Sequence, residues 1–376
     1  MQLIRRGDRG PAVAEVRAML HALGLLPDVA ADDIGDVEYD AATERAVRAF
    51  QQHRGLAADG IVGVETYRVL EEARWQLGDR TLYRQVGHPF VGDDVVTLQT
   101  WLLDRGFDVG RCDGIFGVRT EAALVEFQRN MGLKADGIFG PLTQRAIERL
   151  RRAVRGGRAD HMREHEALFR SGPALAGKTV IVDPGHGGTE RGLAAHGLVE
   201  CEVVFDIAAR LEGRLAAAGA IPFLTRSLDG TVSVADRADF ANAAEADLFV
   251  SIHLDGAPSP APSGVATYYF GNTRAGTSAT GARLADLVQR EVVARTDLVD
   301  CRTHPQSWEL LRLTRMPAVE VAAGYLTNPQ DAARLREAEF RDTIAEALLA
   351  AIQRLYLAPA DDPGTGQLRL GDLTRA

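Results

Sequence analysis

Apolar residues recur at helical spacing in the first 150 residues of the chain. Two segments carry them three and four positions apart: Val13, Val16 and Leu20 in one, and Val95, Leu98 and Leu102 in the other. This period places the side chains on one face of a helix. Gly24 and Gly106 follow the two segments, and glycine commonly ends a helix. The pattern therefore predicts one amphipathic helix in each segment.

The two segments belong to an internal repeat. Ten residues of the first copy, namely Tyr39, Thr43, Phe50, Gln51, Gly55, Leu56, Asp59, Gly60, Gly63 and Thr66, recur 77 positions later as Phe116, Thr120, Phe127, Gln128, Gly132, Leu133, Asp136, Gly137, Gly140 and Thr143. Further upstream the offset is 82, so the first copy carries five extra residues around positions 30–37. A repeat of this length indicates two copies of one small module.

Each copy is predicted to hold three short helices. In the first copy, a second helix precedes the turn marked by Asp59–Gly60, and a third helix follows Thr66 as its N-cap region. The second copy repeats this order, with Thr143 in the place of Thr66. We assign residues 1–76 and 77–152 to two small all-α, three-helix modules.

The pattern changes after the second copy. Residues 153–177 are rich in charge and end in glycine and proline, which is typical of an interdomain linker. His161 and His165 lie there four positions apart, but H-M-R-E-H lacks the order of the zinc motif H-E-x-x-H. Residues 358–376 carry few large apolar groups and are predicted to form a flexible tail.

From Thr179 onward, short β-rich runs alternate with helical stretches. The predicted strands are Thr179–Val182, Ile221–Thr225, Leu248–Ile252, Val265–Phe270 and Val319–Val321, and the predicted helices include Cys201–Ala217 and Ala282–Ala294. Such alternation is typical of an α/β domain with a mixed, largely parallel sheet flanked by helices. We assign this domain to residues 178–357.

Polar residues follow two of the predicted strands. His186 lies in D-P-G-H-G-G directly after the first strand, and His253 closes S-I-H at the end of the third. Ligands gather at the carboxyl ends of parallel strands, so we expect the two histidines to meet there, with Glu200 at the start of the intervening helix. A His-Glu-His set suits a zinc ion that keeps its fourth position for water. Taken singly, each residue has a plainer explanation, such as a packed histidine or a glutamate that favours a helix N-terminus.

Composition and charge exclude several classes of partner and of protein. The chain has 43 basic and 52 acidic residues and a net charge of −9, which disfavours nucleic acid as a partner. Its three cysteines are too few for a disulfide framework, and Cys301 with His304 forms a single C-x-x-H pair in what we expect to be an ordinary loop. The sequence contains no run of about 18 apolar residues, so it predicts no membrane-spanning helix. The first ten residues lack a secretory apolar run, so we expect a cytoplasmic protein, or one that reaches the cell wall by non-classical export.

Both copies of the repeat contain a longer motif, F-Q-x-x-x-G-L-x-x-D-G-I-x-G. It resembles the peptidoglycan-binding domain 1 family over roughly residues 3–150. The resemblance implies glycan or stem peptide as a ligand. The motif residues are also explained as those that hold a small helical bundle together.

Six further motifs lie between residues 178 and 357: V-D-P-G-H-G-G (Val182–Gly188), G-L-V-E (Gly197–Glu200), T-R (Thr225–Arg226), R-A-D-F-A-N (Arg237–Asn242), A-D-L-F-V-S-I-H (Ala246–His253) and M-P-A-V…G-Y-L-T-N (Met316–Asn328). Together they resemble the amidase type 3 family, the zinc-dependent N-acetylmuramoyl-L-alanine amidases. The resemblance implies hydrolysis of the amide between N-acetylmuramic acid and the first alanine of the stem peptide. It also implies that His186, Glu200 and His253 bind Zn²⁺.

The general-base glutamate of that family is missing. The family pattern P-x-V-x-V-E-x-G-[FY] places it two residues before a glycine, where this chain has Ala322. Glu320 is a candidate substitute on the same side of the strand, displaced by about 6.6 Å at ~3.3 Å per residue. Asp255 is a second departure, since the family usually has asparagine there. A base must approach its water to within about 3 Å, so we expect weak or absent catalysis.

Two functions remain open at this point. In one, the repeats hold an active peptidoglycan hydrolase on its polymer. In the other, the domain keeps zinc and a muropeptide or precursor pocket but regulates cell-wall synthesis by binding. The whole layout resembles the CwlM-type regulators of actinobacteria, which implies an enzyme of peptidoglycan precursor synthesis as a partner. Ala322 and the missing secretory run favour regulation, and phosphorylation of Thr365 or Thr374 would then control docking through added negative charge.

Overall fold

A computed structural model of the chain describes residues 3–27, 37–149, 172–272, 276–357 and 362–368. These residues form two compact units that divide near residue 160. The first unit is helical and the second contains the sheet. His161, His165 and Thr374 of the sequence predictions lie outside the described residues.

The first unit contains six helices in the described residues: α1 (Pro11–Ala22), α2 (Ala41–Arg54), α3 (Val64–Ala73), α4 (Asp93–Leu103), α5 (Val118–Asn130) and α6 (Pro141–Arg149). The prediction of three helices per copy is confirmed. The proposed N-cap region is wrong, because α3 begins at Val64 and α6 at Pro141. Thr66 and Thr143 therefore lie in the first turns of their helices. Their side chains are buried, and their hydroxyl groups accept hydrogen bonds from Gln51 and Gln128.

A buried polar clamp explains the repeated polar residues of each copy. In the first copy, the Gln51 amide donates to Asp59, to the carbonyl of Ile61 and to the Thr66 hydroxyl, at 2.8, 2.9 and 3.1 Å. The Gln51 carbonyl oxygen in turn accepts the backbone N–H of Gly60 at 2.8 Å. A buried amide is tolerated only when its donors and its acceptor are satisfied. The clamp thus ties α2 to the following turn and to α3.

The second copy uses the same clamp twice. Gln128 contacts Asp136 and Thr143 at 3.1 and 3.2 Å. Gln99 of α4 contacts Asp113 at 2.8 Å, and it also bonds to Thr120. Each copy packs these helices around an apolar core of its own. The shared polar residues therefore have a structural explanation, because Gln51 and Gln128 bind the aspartate of the following turn and the threonine of the next helix in each copy.

In the residues that the structure describes, the second unit is built on a seven-stranded sheet. Its strands, together with a two-stranded hairpin formed by β2 and β3, are β1 (Thr179–Pro184), β2 (Ala194–Ala195), β3 (Leu198–Val199), β4 (Ile221–Leu224), β5 (Leu248–Asp255), β6 (Val265–Asn272), β7 (Gly276–Thr277), β8 (Asp300–Gln306) and β9 (Ala318–Tyr325). The order is β4-β1-β5-β9-β6-β7, with β8 beside β6. Strands β4, β1, β5 and β9 run parallel, whereas β6 is antiparallel to β9. The expected mixed, largely parallel sheet is confirmed.

Helices flank this sheet: α7 (Glu200–Ala217), α8 (Val234–Ala243), α9 (Ala279–Arg295), α10 (Glu309–Leu313), α11 (Pro329–Arg336) and α12 (Ala338–Tyr356). Helices α7, α9 and α12 cover one face, where Val180, Val250 and Val319 are fully buried. A parallel sheet covered by helices needs such apolar strands. None of the helices in the described part of the chain has the length and hydropathy that a membrane crossing requires.

One region differs from the sequence predictions. Cys301 and His304 belong to strand β8 rather than to a loop. The alternation that marks a strand is weak there, because most side chains of this strand are exposed and polar. Residues 362–368, part of the predicted flexible tail, belong to the second unit and contact its helices. Asp362 accepts two hydrogen bonds from Arg354 at 2.6 and 3.0 Å.

Thr365 lies in the segment 362–368, which packs against the helices of the second unit. Its hydroxyl oxygen is 2.9 Å from Arg290 of α9 and 3.2 Å from Arg354 of α12. The next backbone N–H, that of Gly366, donates to the buried Glu291 at 3.1 Å. The segment therefore supplies partners to charged groups that the two helices bury.

Candidate metal centre

Three elements bring His186, Glu200 and His253 together; we call these residues the metal triad. His186 lies in the loop after β1, Glu200 is the first residue of α7, and His253 lies in β5. The Glu200 carboxylate has one oxygen 3.3 Å from His186 Nε2 and the other 3.2 Å from His253 Nδ1. The three ligand atoms lie within 4.8 Å of one another. In the described residues this is the only group of three or more His, Cys, Asp or Glu side chains close enough to share an ion.

Glycines allow this close approach. A Cβ atom on Gly185 would overlap the ring of His253, and a Cβ atom on Gly192 would come 2.5 Å from the Glu200 carboxylate. Gly192 also has a φ of +68°, which side chains other than glycine rarely adopt. The backbone on both sides of the metal triad therefore excludes any larger residue.

Hydrogen bonds keep the Glu200 carboxylate ionised. Glu200 is only 1% exposed, and it accepts the backbone N–H groups of Leu193 and Leu254 at 2.9 and 3.0 Å. Burial alone would raise its pKa, but hydrogen bonds from His186, His253 and these two amides hold the pKa of Glu200 well below its usual range. Its lone pairs are thus available to a cation.

The pKa of His253 on β5 is raised, whereas that of Glu200 is lowered. Burial lowers the pKa of His253, but the carboxylates of Glu320 and Glu200 raise it to about 9. A positive charge at this position is therefore favoured by the surrounding carboxylates. A bound cation would satisfy the same field.

The donor set fits zinc. Two imidazoles and one carboxylate are a common ligand set of catalytic zinc, with bonds of about 2.0–2.2 Å. Around a tetrahedral ion such bonds place neighbouring ligand atoms about 3.4 Å apart, close to the 3.3 and 3.2 Å that separate the Glu200 oxygens from the two imidazoles. Each imidazole therefore lies near the ideal ligand spacing from one Glu200 oxygen, and the three candidate ligand atoms lie within 4.8 Å of one another.

The β9 side of the centre is apolar at the decisive position. Ala322 pairs with His253 on one side and with Ala266 of β6 on the other. Both alanines are 3% exposed. The two methyl groups therefore lie beside the metal triad where the amidase type 3 pattern expects a carboxylate.

Glu320 lies two residues before this position on β9, on the same face of the strand. It pairs with Ser251 of β5 and with Tyr268 of β6. Burial raises the pKa of Glu320, and the carboxylates of Asp183 and Asp255 raise it further, against the lowering effect of His253. Burial is the largest of these effects, so the pKa of Glu320 is raised although the facing His253 favours the ionised carboxylate.

Aromatic residues that the sequence reasoning missed border this region. The Tyr268 ring lies 4.5 Å from the Trp308 ring and 5.7 Å from the His304 ring, measured between centroids. Burial raises the pKa of Asp255, and the Tyr268 hydroxyl approaches its carboxylate at 3.5 Å. These residues are scattered over β5, β6, β8 and the segment before α10, so local spacing gave no signal of their proximity.

Cys301 and His304 lie apart from the metal triad. The Cys301 thiol donates to the carbonyl of Ser263 at 3.3 Å, and a ring nitrogen of His304 lies 2.7 Å from the Cys301 carbonyl. Each has a local partner, and they do not belong to the group of side chains that could hold an ion.

Comparison with known proteins identifies both parts of the chain. Residues 180–354 match the family described as N-acetylmuramoyl-L-alanine amidase. Residues 9–70 and 91–147 match a family described as a peptidoglycan binding domain. Both resemblances inferred from the sequence motifs are confirmed.

Named relatives cover the chain to different extents. The N-acetylmuramoyl-L-alanine amidase CwlM of Mycobacterium tuberculosis is 49% identical over 379 residues, which is 98% of this chain and 93% of that protein. The N-acetylmuramoyl-L-alanine amidase LytC of Bacillus subtilis is 37% identical over 46% of this chain and 34% of its own length. A solved N-acetylmuramoyl-L-alanine amidase of Clostridium difficile 630 is 29% identical, with a TM-score of 0.44, over 47% of this chain and 95% of that one. This chain belongs to the N-acetylmuramoyl-L-alanine amidase family.

Proposed function

We propose that this chain binds Zn²⁺ at the metal triad, is catalytically impaired, and regulates cell-wall synthesis by binding peptidoglycan, a muropeptide or a precursor. The observation that carries the proposal is the Ala322–Ala266 pair beside His253. A methyl group cannot accept a proton. The residue at the position of the general base therefore cannot take up a proton from the attacking water.

The centre has residues that can hold a metal ion, but it lacks the residue that would take up a proton in an amidase. Zinc, when bound, supplies a Lewis acid that polarises a carbonyl and acidifies water. Glu200 orients both imidazoles, since each of its oxygens contacts one ring. No carboxylate stands at position 322 to take up a proton, and a missing general base costs about 10² to 10⁴ in rate. The centre is therefore suited to holding a muropeptide carbonyl more than to cleaving it.

The binding role draws on the rest of the chain. The two helical modules belong to a peptidoglycan-binding family, and the mycobacterial CwlM is a relative that spans nearly the whole chain. We include in the proposal an enzyme of peptidoglycan precursor synthesis as a partner and a cytoplasmic location. The alternative location is the cell wall after non-classical export.

An active peptidoglycan hydrolase that cleaves the bond between N-acetylmuramic acid and L-alanine is the second candidate. The complete metal triad favours it, as does the Glu320 carboxyl two residues before Ala322 on the same strand. In this alternative, Glu320 would have to reach the attacking water from the position beside Ser251. That path is longer than the one from position 322.

Restoring the carboxylate separates the two candidates. We would load the full chain with zinc and measure release of stem peptide from purified muropeptide, for the natural chain, Ala322→Glu and the matched control Ala322→Gln. The proposal expects Ala322→Glu to exceed the natural chain by about 10² to 10⁴. Ala322→Gln has the same size without a base and should stay at the level of the natural chain.

The proposal of impairment fails if the natural chain already turns over as fast as Ala322→Glu. It also fails if Ala322→Gln gains as much as Ala322→Glu, because the gain would then come from shape. Binding of the same muropeptide to the natural chain, measured by calorimetry, tests the regulatory half independently of turnover.

A further inference from the structure

Two arginines, Arg226 and Arg237, lie buried beneath the loop that carries His186. They are 4% and 5% exposed. They stand in the motifs T-R and R-A-D-F-A-N, to which the sequence alone gave no task. A buried guanidinium is costly unless its N–H groups are satisfied. The groups that satisfy them therefore indicate what the arginines hold in place.

Arg226 joins the backbone next to two members of the metal triad. Its Nη2 donates to the carbonyl of Gly185 at 2.9 Å and to the carbonyl of Cys201 at 3.0 Å. Gly185 directly precedes His186, and Cys201 directly follows Glu200. One rigid guanidinium thus fixes the separation of the β1 loop from the first turn of α7.

Arg237 extends the same connection to the third member. Its Nη2 donates to the carbonyl of His186 itself at 2.6 Å, and its Nη1 pairs with the buried Asp183 at 2.5 Å. Asp183 also accepts the Ser251 hydroxyl at 2.7 Å. Ser251 lies on β5 two residues before His253, on the same face of the strand. The network therefore touches all three elements that carry the metal triad.

The loop needs such support because its conformation is sparsely populated. His186 has a φ of +55°, in the left-handed region that residues other than glycine rarely adopt. At Gly187 a Cβ atom would lie 2.6 Å from Arg226 Cδ, so the loop packs directly onto this side chain. Strained backbone persists only where its surroundings over-determine it.

We propose that Arg226 and Arg237 are positioning residues that set the distances among His186, Glu200 and His253, and thereby the affinity of the centre for its metal. The inference rests on the proposed metal site. Residues behind metal ligands typically contribute about 10- to 100-fold in metal affinity, because they hold the ligands in one geometry. The two arginines act here through the backbone carbonyls that flank the ligands.

Conservative variants of the full chain test this proposal. Arg226→Lys and Arg237→Lys keep the positive charge but lose the planar fork that contacts two groups at once. We expect each to bind zinc on the order of 10- to 100-fold more weakly in chelator competition, and to change the visible spectrum of the Co²⁺-loaded protein. The matched control is Arg210→Lys on α7, whose arginine pairs with Asp206 and Asp342. This control should bind zinc as the natural chain does.

Thermal unfolding of the metal-free proteins separates positioning from stability. If either lysine variant unfolds at a lower temperature but binds zinc with unchanged affinity and an unchanged Co²⁺ spectrum, the proposal is overturned. If the natural chain itself binds no zinc, the proposed metal site has failed instead. Should the lysine variants not fold, Ser251→Ala removes one hydrogen bond from Asp183, and an affinity loss of roughly fivefold is expected. Unchanged zinc affinity in Ser251→Ala would then overturn the proposal.

Discussion

The two sides of the candidate metal centre differ in their polar residues: one side has a buried hydrogen-bonded network, and the other presents methyl groups. On the side of β1, α7 and β5, the three side chains of the metal triad meet over a buried network of arginines and an aspartate. On the side of β9, Ala322 and Ala266 present methyl groups, and Glu320 faces the centre from two residues before Ala322 along the strand. Metal coordination and proton transfer are thus separate requirements within one fold. A chain can meet the first in full while it lacks the residue for the second.

The largest expected effect is on the ligand side. His186→Ala removes one of three protein ligands, so zinc affinity should fall by more than about 100-fold, beyond what the loss of a supporting residue causes. Metal analysis of the purified protein measures this as a loss of stoichiometric zinc. His304→Ala is the matched control, because this histidine lies on β8 outside the metal triad. Equal zinc content in both variants would show that the metal binds elsewhere.

The next effect concerns pH. His253 must release its proton to bind metal, and its pKa is raised to about 9. Zinc affinity should therefore rise about tenfold per pH unit below that value and level off above it. Between pH 6 and pH 8 the gain is about 100-fold, which chelator competition at several pH values can measure. A flat profile over this range would contradict the assigned role of His253.

The metal-free protein should show the opposite trend in stability. A histidine whose folded pKa lies above its unfolded value of about 6.5 stabilises the protein fully below that value, and the stabilisation is lost as pH rises through the folded pKa. We expect the melting temperature of the metal-free chain to decline between about pH 6.5 and pH 9 relative to His253→Gln. Parallel declines in the two proteins would assign the trend to other groups.

The smallest effect lies on the β9 side. Glu320→Gln removes a carboxylate that raises the pKa of His253. The pH at which zinc affinity levels off should then move downward, while stem-peptide release stays at the level of the natural chain. A comparable fall in stem-peptide release would instead identify Glu320 as a working base and join the two sides of the centre functionally.

The sequence predicted those features that local pattern determines. Strands β1, β5 and β9 are buried apolar runs, His186 follows β1 and His253 lies near the end of β5, so the meeting of the two histidines could be inferred. The exposed strand β8 has no such pattern. The register that sets Glu320 beside Ser251, and the contacts of Arg237 with Asp183 and His186, join residues distant along the chain. Spacing carries no information about such contacts, because they depend on how the elements pack.

The glutamine clamps of the helical unit have a consequence for folding kinetics. Gln51 and Gln128 each close onto a threonine only 15 residues away. In the second unit, by contrast, the Ser251–Asp183 hydrogen bond joins residues 68 positions apart. Chains with local contacts fold faster, because less loop entropy is lost before a contact forms. The helical modules should therefore reach their native state while the sheet around the metal triad is still assembling.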